Sequence, residues 1–110
     1  MTPDVPDVIA RYLGLAASGD LDALLGCFAD DAVVTDEGET YRGRDAIRDW
    51  RETVTSKFTY TVEVVDAETT AADNYVVTAR LNGNFPGSPV DLRFRFGLQD
   101  GLIAALEIAP

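Results

Sequence analysis

Apolar residues in the first half of the chain recur at the spacing of amphipathic helices, and three such stripes predict three helices. The first helix covers about residues 6–17, the second follows Asp20 as its N-cap, and the third covers about residues 44–55. Between the first two helices, Gly19 suits a left-handed helix cap. The stripes are Val5, Ile9, Tyr12 and Ala16 in the first helix, Leu21, Leu24, Leu25 and Phe28 in the second, and Ile47, Trp50 and Val54 in the third.

The second half of the chain alternates apolar and polar residues with a period of two, as the strands of a half-buried sheet do. This alternation predicts four long strands, over residues 58–67, 75–82, 90–98 and 102–109. Asp100 and Gly101 separate the last two strands and are a strong hairpin signal. Because the connections are too short for crossover helices, we expect the long strands to be antiparallel.

A small strand pair is predicted between the second and third helices. Residues 32–36 alternate as a strand with Val34 and Asp36 on one face, and residues 40–42 return beside it. Together the elements predict an α+β fold, a cone-shaped α+β barrel with three N-terminal helices packed on a curved, mainly antiparallel sheet. One face of the sheet is almost wholly apolar, so the helices must cover it. Such a sheet leaves a cavity, and we expect Asp36 and Tyr12 to reach into it.

Length and composition bound the class of protein. A chain of 110 residues fits a single domain, here residues 1–110, and can bury a core without a disulfide or a metal. The formal net charge of −10 argues against nucleic acid and anionic membranes as partners, because phosphate binding needs clustered Lys and Arg. No apolar stretch is long enough to span a bilayer, and the first residues show no signal peptide. We therefore expect a cytoplasmic protein.

The residue types available for chemistry are few. The chain has no histidine, which excludes a Ser-His-Asp triad and a His-based zinc site. Cys27 is the only cysteine, and its apolar neighbours predict that it lies in the core. Carboxylates alone can hold a hard cation, but no loop has the spacing of calcium ligands. We expect neither a metal nor a cofactor. Acid–base chemistry is left to Asp, Glu, Tyr and Lys.

Four segments of the first half resemble the nuclear transport factor 2-like superfamily, and within it the SnoaL-like polyketide cyclases and ketosteroid isomerase. They are residues 10–13 (ARYL), 18–22 (SGDLD), 28–36 (FADDAVVTD) and 43–50 (GRDAIRDW). The second half agrees with the superfamily in strand pattern more than in residues. The resemblance implies a single SnoaL-like domain, and its matching segments are structural and say little about the substrate.

The resemblance also implies two site residues. The general base of ketosteroid isomerase is an Asp at the end of this first strand, where the chain has Asp36. The oxyanion-hole tyrosine of that enzyme follows an Arg on the first helix, which matches Arg11 and Tyr12. A second, protonated Asp of the isomerase falls on Leu92 here. Asp91 is one residue away and is expected to face the opposite side of its strand.

Each candidate residue has a structural role as its alternative. Asp36 is either a base that removes a proton next to a carbonyl group or a strand-end residue that caps the following turn. Tyr12 is either an oxyanion donor or a core tyrosine with a backbone partner. Six further apolar and aromatic residues either pack in the core or form part of the wall of a substrate pocket. They are Phe28, Val34, Trp50, Tyr60, Leu92 and Phe94.

Two functions fit these residues. One is an isomerase- or cyclase-like enzyme that transfers a proton next to the carbonyl group of a small hydrophobic molecule. The other is a non-catalytic module on the same fold that binds a ligand or dimerises. The polar face of the sheet is either a solvated surface or, as the resemblance implies and as we expect, the interface of a homodimer. It carries Glu63, Arg80, Asp91, Arg93, Arg95 and Glu107.

Overall fold

The computed structural model describes residues 5–18 and 20–110, so the predicted cap at Gly19 and the residues before Val5 lie outside the described residues. The helices and strands of the described chain follow one another in a mixed order. They are α1 (Asp7–Ser18), α2 (Leu21–Leu25), β1 (Phe28–Asp36), β2 (Glu39–Arg42), α3 (Gly43–Lys57), β3 (Tyr60–Ala71), β4 (Asn74–Gly83), β5 (Val90–Gln99) and β6 (Leu102–Ala109). Within this part of the chain, no helix is long and apolar enough to cross a membrane.

The described strands form one sheet in the order β2-β1-β6-β5-β4-β3. Neighbouring strands are antiparallel except β1 and β6, which run parallel. The long strands β3 to β6 are therefore antiparallel, as predicted. The sheet stays open, with β2 and β3 at its edges, so the molecule has a mixed α+β fold with a curved, unclosed sheet rather than a barrel. Only α1 and α2 precede the strands, because β1 and β2 come before α3.

The second helix is shorter than its predicted apolar stripe. Asp20 caps α2 as predicted, and its carboxylate accepts a hydrogen bond from the amide of Ala23 at 3.2 Å. The helix then runs for only 5 residues. The carbonyl of Cys27 accepts a hydrogen bond from the amide of Ile103 at 2.8 Å, which draws the chain into the sheet. Phe28 therefore begins β1 instead of lying on the helical stripe, which corrects that prediction.

Strand β1 begins earlier than predicted and contains two exposed acidic residues. The sequence pattern favours a break at Asp30 and Asp31, yet both lie inside β1. The strand pairs with β6 at Phe28 and again from Val33 onward, and the ladder is irregular in between. Arg44 of α3 binds this irregular stretch, because it donates to the Phe28 carbonyl at 2.6 Å and pairs with Asp30 at 2.8 Å. A contact with a later helix thus overrides the local turn preference.

The core lies between the helices and the inner face of the sheet. Tyr12 is buried there, and its ring contacts Phe28 and Phe96 edge-on, with centroids 5.5 and 5.8 Å apart. Cys27 is buried, as predicted. Other fully buried members are Ile9, Leu24, Val34, Ile47, Val77, Ile103 and Leu106. The predicted apolar face of the sheet is therefore covered by helices.

Two tight turns use residues with positive φ. Glu37 and Gly38 join β1 to β2 with φ of 53° and 79°, and Asp100 and Gly101 join β5 to β6 with φ of 54° and 77°. Two successive residues with positive φ form the hairpin loop that matches the twist of the flanking strands. The hairpin predicted at Asp100 is confirmed. The other turn leaves Asp36 as the last residue of β1.

The outer face of the sheet is polar and exposed. Arg80 pairs with Asp91 across β4 and β5 at 2.9 Å, and Arg95 approaches Glu107 across β5 and β6 at 3.7 Å. Exposed pairs of this kind are screened by solvent and contribute little, so they do not decide the stability of the fold. The homodimer expected on this face stays a prediction.

Candidate functional site

A cavity of about 800 Å³ lies between α1, α3 and the inner face of the sheet and opens to solvent. Most of the residues singled out from the sequence line it, and they come from five different elements. They are Tyr12, Asp36, Trp50, Tyr60, Leu92 and Phe94. A cavity of this size accommodates a small organic molecule.

Phe28 and Val34 lie behind the cavity wall rather than on it. Both are completely buried in the core. The ring of Phe28 packs against the ring of Tyr12, and Val34 lies on β1 between its two partner strands, where α3 packs on the sheet. Their predicted place on a pocket wall is corrected, because packing against neighbouring elements takes up the whole surface of both side chains.

Asp36 is held at the cavity by Trp50. The indole Nε1 donates a hydrogen bond to Oδ2 of Asp36 at 3.1 Å, and the described residues provide no turn-capping bond to this carboxylate. Burial raises the pKa of Asp36 above its ordinary value, whereas the hydrogen bond from Trp50 and the charge of Arg51 lower it. Asp36 is thus a stronger base than an exposed aspartate.

Tyr12 brings a protonated phenol to the same cavity. Burial raises the pKa of Tyr12 well above its ordinary value, although the positive charge of Arg51 lowers it. The hydroxyl group is therefore protonated throughout the neutral range. No described residue forms a hydrogen bond with it, so the backbone partner of the alternative interpretation is not found. The edge-on contacts with Phe28 and Phe96 fix the ring and leave the hydroxyl available as a donor.

Arg51 belongs to the site although no sequence prediction named it. It lies in α3, is only 4% exposed and lines the cavity. Its Nη2 donates to the Ala16 carbonyl at 2.9 Å and to the Tyr60 hydroxyl at 2.8 Å. The guanidinium carbon lies 5.0 Å from the centre of the Trp50 ring, within the range of a cation–π contact. Trp50, which binds Asp36, and Arg51, which binds Tyr60, therefore lie in contact with each other on the cavity wall.

The helical spacing of α3 contains a signal for Arg51. Ile47, Trp50, Arg51 and Val54 stand at positions i, i+3, i+4 and i+7, so the arginine occupies the apolar stripe of the helix. An isolated buried charge is costly, and an arginine at such a position is therefore either paired or part of a site.

Leu92 and Asp91 lie on opposite faces of β5. Leu92 lines the cavity, whereas Asp91 pairs with Arg80 on the outer face. This agrees with the prediction that a shift of one residue along a strand reverses the direction of the side chain. The second carboxylic acid of ketosteroid isomerase therefore has no counterpart at this position of the cavity.

The site combines three polar groups of different chemistry. Asp36 supplies a carboxylate, Tyr12 a phenol and Arg51 a guanidinium, all on the wall of one cavity. These groups can accept a proton, donate a hydrogen bond and attract negative charge. Among the residues that the structure describes, no group of three or more acidic, Cys or His side chains is placed to hold a metal ion.

Replacing Trp50 by Phe is expected to raise the pKa of Asp36 further. The variant removes the N–H donor that stabilises the ionised carboxylate and keeps an aromatic ring in the core. Carbon-13 NMR titration of the Asp36 carboxyl group measures the shift. Tyr41→Phe is the control, because the ring of Tyr41 stacks on Trp50 without binding Asp36. An Asp36 pKa that is the same in Trp50→Phe and in the unchanged protein would contradict the role of this hydrogen bond.

Solved structures share the whole architecture of the chain. A "putative polyketide cyclase" from Sinorhizobium meliloti is 40% identical, with a TM-score of 0.91 over 96% of both chains. A protein of ketosteroid isomerase-like fold from Catenulispora acidiphila, in complex with trimethylamine, is 19% identical, with a TM-score of 0.85 over 97% of this chain and 87% of that chain. RV0760c from Mycobacterium tuberculosis, in complex with estradiol-17beta-hemisuccinate, is 17% identical, with a TM-score of 0.75 over 94% of this chain and 90% of that chain.

The family assignment rests on sequence as well as on shape. No curated protein matches the chain. The two structures below 20% identity show the shared nuclear transport factor 2-like fold alone. Residues 9–106, however, match the model of the SnoaL-like domain, and the Sinorhizobium protein is similar over almost its full length. The chain therefore belongs to the SnoaL-like domain family.

Proposed function

We propose that the protein is an isomerase- or cyclase-like enzyme that transfers a proton next to the carbonyl group of a small hydrophobic molecule. Asp36 is the general base, and Tyr12 is the donor that stabilises the oxygen. One observation carries the proposal: the Asp36 side chain and the Tyr12 side chain line the same cavity. This chemistry needs a proton acceptor near the carbon atom and a hydrogen-bond donor at the oxygen.

The surroundings of Asp36 suit a base. Burial raises the pKa of Asp36 and so increases its affinity for a proton, while the hydrogen bond from Trp50 and the charge of Arg51 oppose that effect and favour the ionised carboxylate. The hydrogen bond from Trp50 occupies Oδ2 and fixes the orientation of the carboxylate. Oδ1 accepts no hydrogen bond from a described residue and is left for the proton of the substrate.

The surroundings of Tyr12 suit a donor to a developing negative charge. Proton removal next to a carbonyl group moves charge to the oxygen, which gains most from a donor that is already oriented in a water-poor site. The buried, fixed ring of Tyr12 satisfies this requirement. Because Leu92 stands where ketosteroid isomerase has an acid, no second acid at this position assists Tyr12.

The remaining wall of the cavity favours a hydrophobic substrate. Several apolar side chains from the sheet line it, and they are Val62, Leu81, Val90, Leu92, Phe94 and Ile108. Such a wall binds an apolar body, while a few polar groups fix its orientation. The description of the Sinorhizobium protein as a "putative polyketide cyclase" and the estradiol-17beta-hemisuccinate complex of RV0760c support a substrate of this class.

Hydrogen–deuterium exchange tests the proposal without knowledge of the natural product. The protein is expected to accelerate exchange of the hydrogens next to the carbonyl group in a panel of cyclic ketones such as tetralone and indanone, as followed by proton NMR in deuterated water. If no ketone in the panel exchanges faster while some raise the melting temperature, the non-catalytic ligand-binding module is favoured instead.

Replacing Tyr12 by Phe is expected to lower the exchange rate by about 10²–10³-fold, the usual cost of losing one oxyanion donor. The ring contacts are kept, so the melting temperature is expected to change little. Tyr75→Phe is the matched control, because Tyr75 lies on β4 and does not line the cavity. Equal exchange rates in Tyr12→Phe and in the unchanged protein would exclude Tyr12 from the mechanism.

A further inference from the structure

The cavity wall contains a buried cation, Arg51, that forms no salt bridge with any residue that the structure describes. Arg51 binds only uncharged oxygens, since Nη2 donates to the Ala16 carbonyl and to the Tyr60 hydroxyl. Its Nε is completely buried and has no partner. Nη1 makes no hydrogen bond with any residue that the structure describes. Asp36 is close enough to interact with Arg51 electrostatically, but Oδ2 of Asp36 accepts its hydrogen bond from Trp50.

This arrangement leaves the guanidinium incompletely satisfied. Burial of a charge is costly unless the group is paired and hydrogen-bonded, and a carbonyl and a hydroxyl do not neutralise it. Buried charges that are kept in a cavity despite this cost are concentrated at functional sites. An anionic oxygen of a ligand that reaches Nη1 from the cavity would supply a hydrogen-bond acceptor and a directly paired negative charge together.

We propose that the cavity takes hydrophobic carboxylic acids, with the carboxylate bound by Arg51 and the apolar part against the strands. The proposal rests on the proposed function, because it uses the same cavity as a ligand site. It narrows the substrate class to hydrophobic carbonyl compounds that also carry an acid group. Hydrogen bonds from a guanidinium to a carboxylate are roughly twice as strong as those between neutral groups, so Arg51 dominates the choice of ligand.

The other charges of the protein make Arg51 necessary for such a ligand. The formal net charge of −10 disfavours anions in general. Asp36, Glu37 and Asp49 also line the cavity, so the acidic side chains on its wall outnumber the basic ones. Lys57 is the second cation on the wall, but it is exposed at the end of α3 and is hydrated. A carboxylate therefore finds its strongest partner at the buried Arg51.

Two probes of equal shape test the proposal. Naphthoate carries a carboxylate, and naphthamide replaces it with a neutral amide. Calorimetric titration is expected to show that the protein binds naphthoate at least about tenfold more tightly than naphthamide. Arg51→Gln is expected to weaken naphthoate binding by about ten- to a hundredfold and to leave naphthamide binding unchanged. Lys57→Gln, the matched control, is expected to keep the preference.

Arg51→Gln also removes two hydrogen bonds of the interior, so the variant could bind naphthoate weakly because it is misfolded. A second measurement therefore uses the unchanged protein. In the unchanged protein, the Nε–H signal of Arg51 in nitrogen-15 NMR is expected to shift when naphthoate is added and to stay in place with naphthamide. Arg51→Lys, which keeps the charge, is expected to retain part of the preference. Equal affinity of the unchanged protein for both probes would overturn the proposal, as would a preference that is lost in Lys57→Gln and kept in Arg51→Gln.

The binding test and the exchange test separate the two proposals. A preference for naphthoate without exchange of any ketone, including tetralones and indanones that carry a carboxylate, would support the acid-binding cavity and exclude the catalytic role of Asp36. Exchange of ketones without a preference for naphthoate would support the catalytic proposal and overturn the proposal of a carboxylate site at Arg51.

Discussion

Replacing Asp36 by Asn is expected to lower the rate of hydrogen–deuterium exchange by about 10²–10⁴-fold, the range that a positioned general base contributes. The amide has almost the same shape as the carboxylate and its oxygen can still accept the hydrogen bond from Trp50, so the site keeps its geometry. The amide cannot take up the proton, and no other described carboxylate is oriented by Trp50. The loss of exchange rate in Asp36→Asn therefore measures the contribution of Asp36 as a proton acceptor.

The same variant is expected to be at least as stable as the unchanged protein at neutral pH. Burial raises the pKa of Asp36 above its ordinary value of 3.8, so ionisation of this group costs stability in the folded state. The cost is absent below the ordinary pKa and complete above the raised one. The stability advantage of Asp36→Asn is thus expected to grow as the pH rises through this window, as thermal unfolding at several pH values measures.

Asp49→Asn is the matched control for this experiment. Asp49 is a second aspartate on the cavity wall, but it is exposed on α3 and has no bond to Trp50. Its replacement is expected to change the exchange rate by less than about threefold, since no transition-state contact is lost. Full exchange activity in Asp36→Asn would end the catalytic proposal, whatever Asp49→Asn does.

Replacing Phe28 by Ala is expected to destabilise the protein by about 3–5 kcal/mol, the usual cost of removing a buried aromatic ring. Phe28 is completely buried and supports the ring of Tyr12. Domains of this kind are stable by only about 5–15 kcal/mol, so the variant is expected to lose a large part of its stability. Any folded fraction is also expected to exchange ketones more slowly, because Tyr12 loses one of the two rings that hold it.

Urea unfolding followed by circular dichroism measures this loss. Val65→Ala is the control, because Val65 is 44% exposed on β3 and its truncation leaves no enclosed cavity. We expect a change within about 0.5 kcal/mol for the control. A change of that small size in Phe28→Ala would mean that the ring is not part of the packed core.

Most of the sheet could be predicted from the sequence because its strands alternate cleanly. The predicted last strand, residues 102–109, agrees with β6 at both ends. The start of β1 could not be predicted in the same way. Asp30 and Asp31 disfavour a strand locally, and they are kept in one because β1 pairs with β6 on either side of them and because Arg44 pairs with Asp30, contacts that are all distant in sequence. Local patterns contain no information about such partners.

The candidate site was predictable to the extent that it depends on side-chain direction. The helical stripe pointed Tyr12 inward, and strand alternation pointed Asp36 to the same face, so both reach the cavity. The sequence pattern could not separate residues that line the cavity from residues buried behind its wall. Phe28 and Val34 point inward like the lining residues, but both are completely buried. Arg51 was not predicted as a site residue. Its role depends on the Ala16 carbonyl and the Tyr60 hydroxyl, which belong to other elements and which the pattern of its own helix does not show.

The parallel contact between β1 and β6 has a consequence for folding during protein synthesis. Strand β6 lies between β1 and β5, so it alone joins the N-terminal strand pair to the later hairpins. Residues Leu102–Ala109 are the last of these strands to leave the ribosome, and until then the strand that carries Asp36 and the strands of the apolar wall do not belong to one continuous sheet. The row of the sheet that places Asp36, Ile108 and Phe94 side by side on the cavity wall is thus complete only when this stretch has been translated.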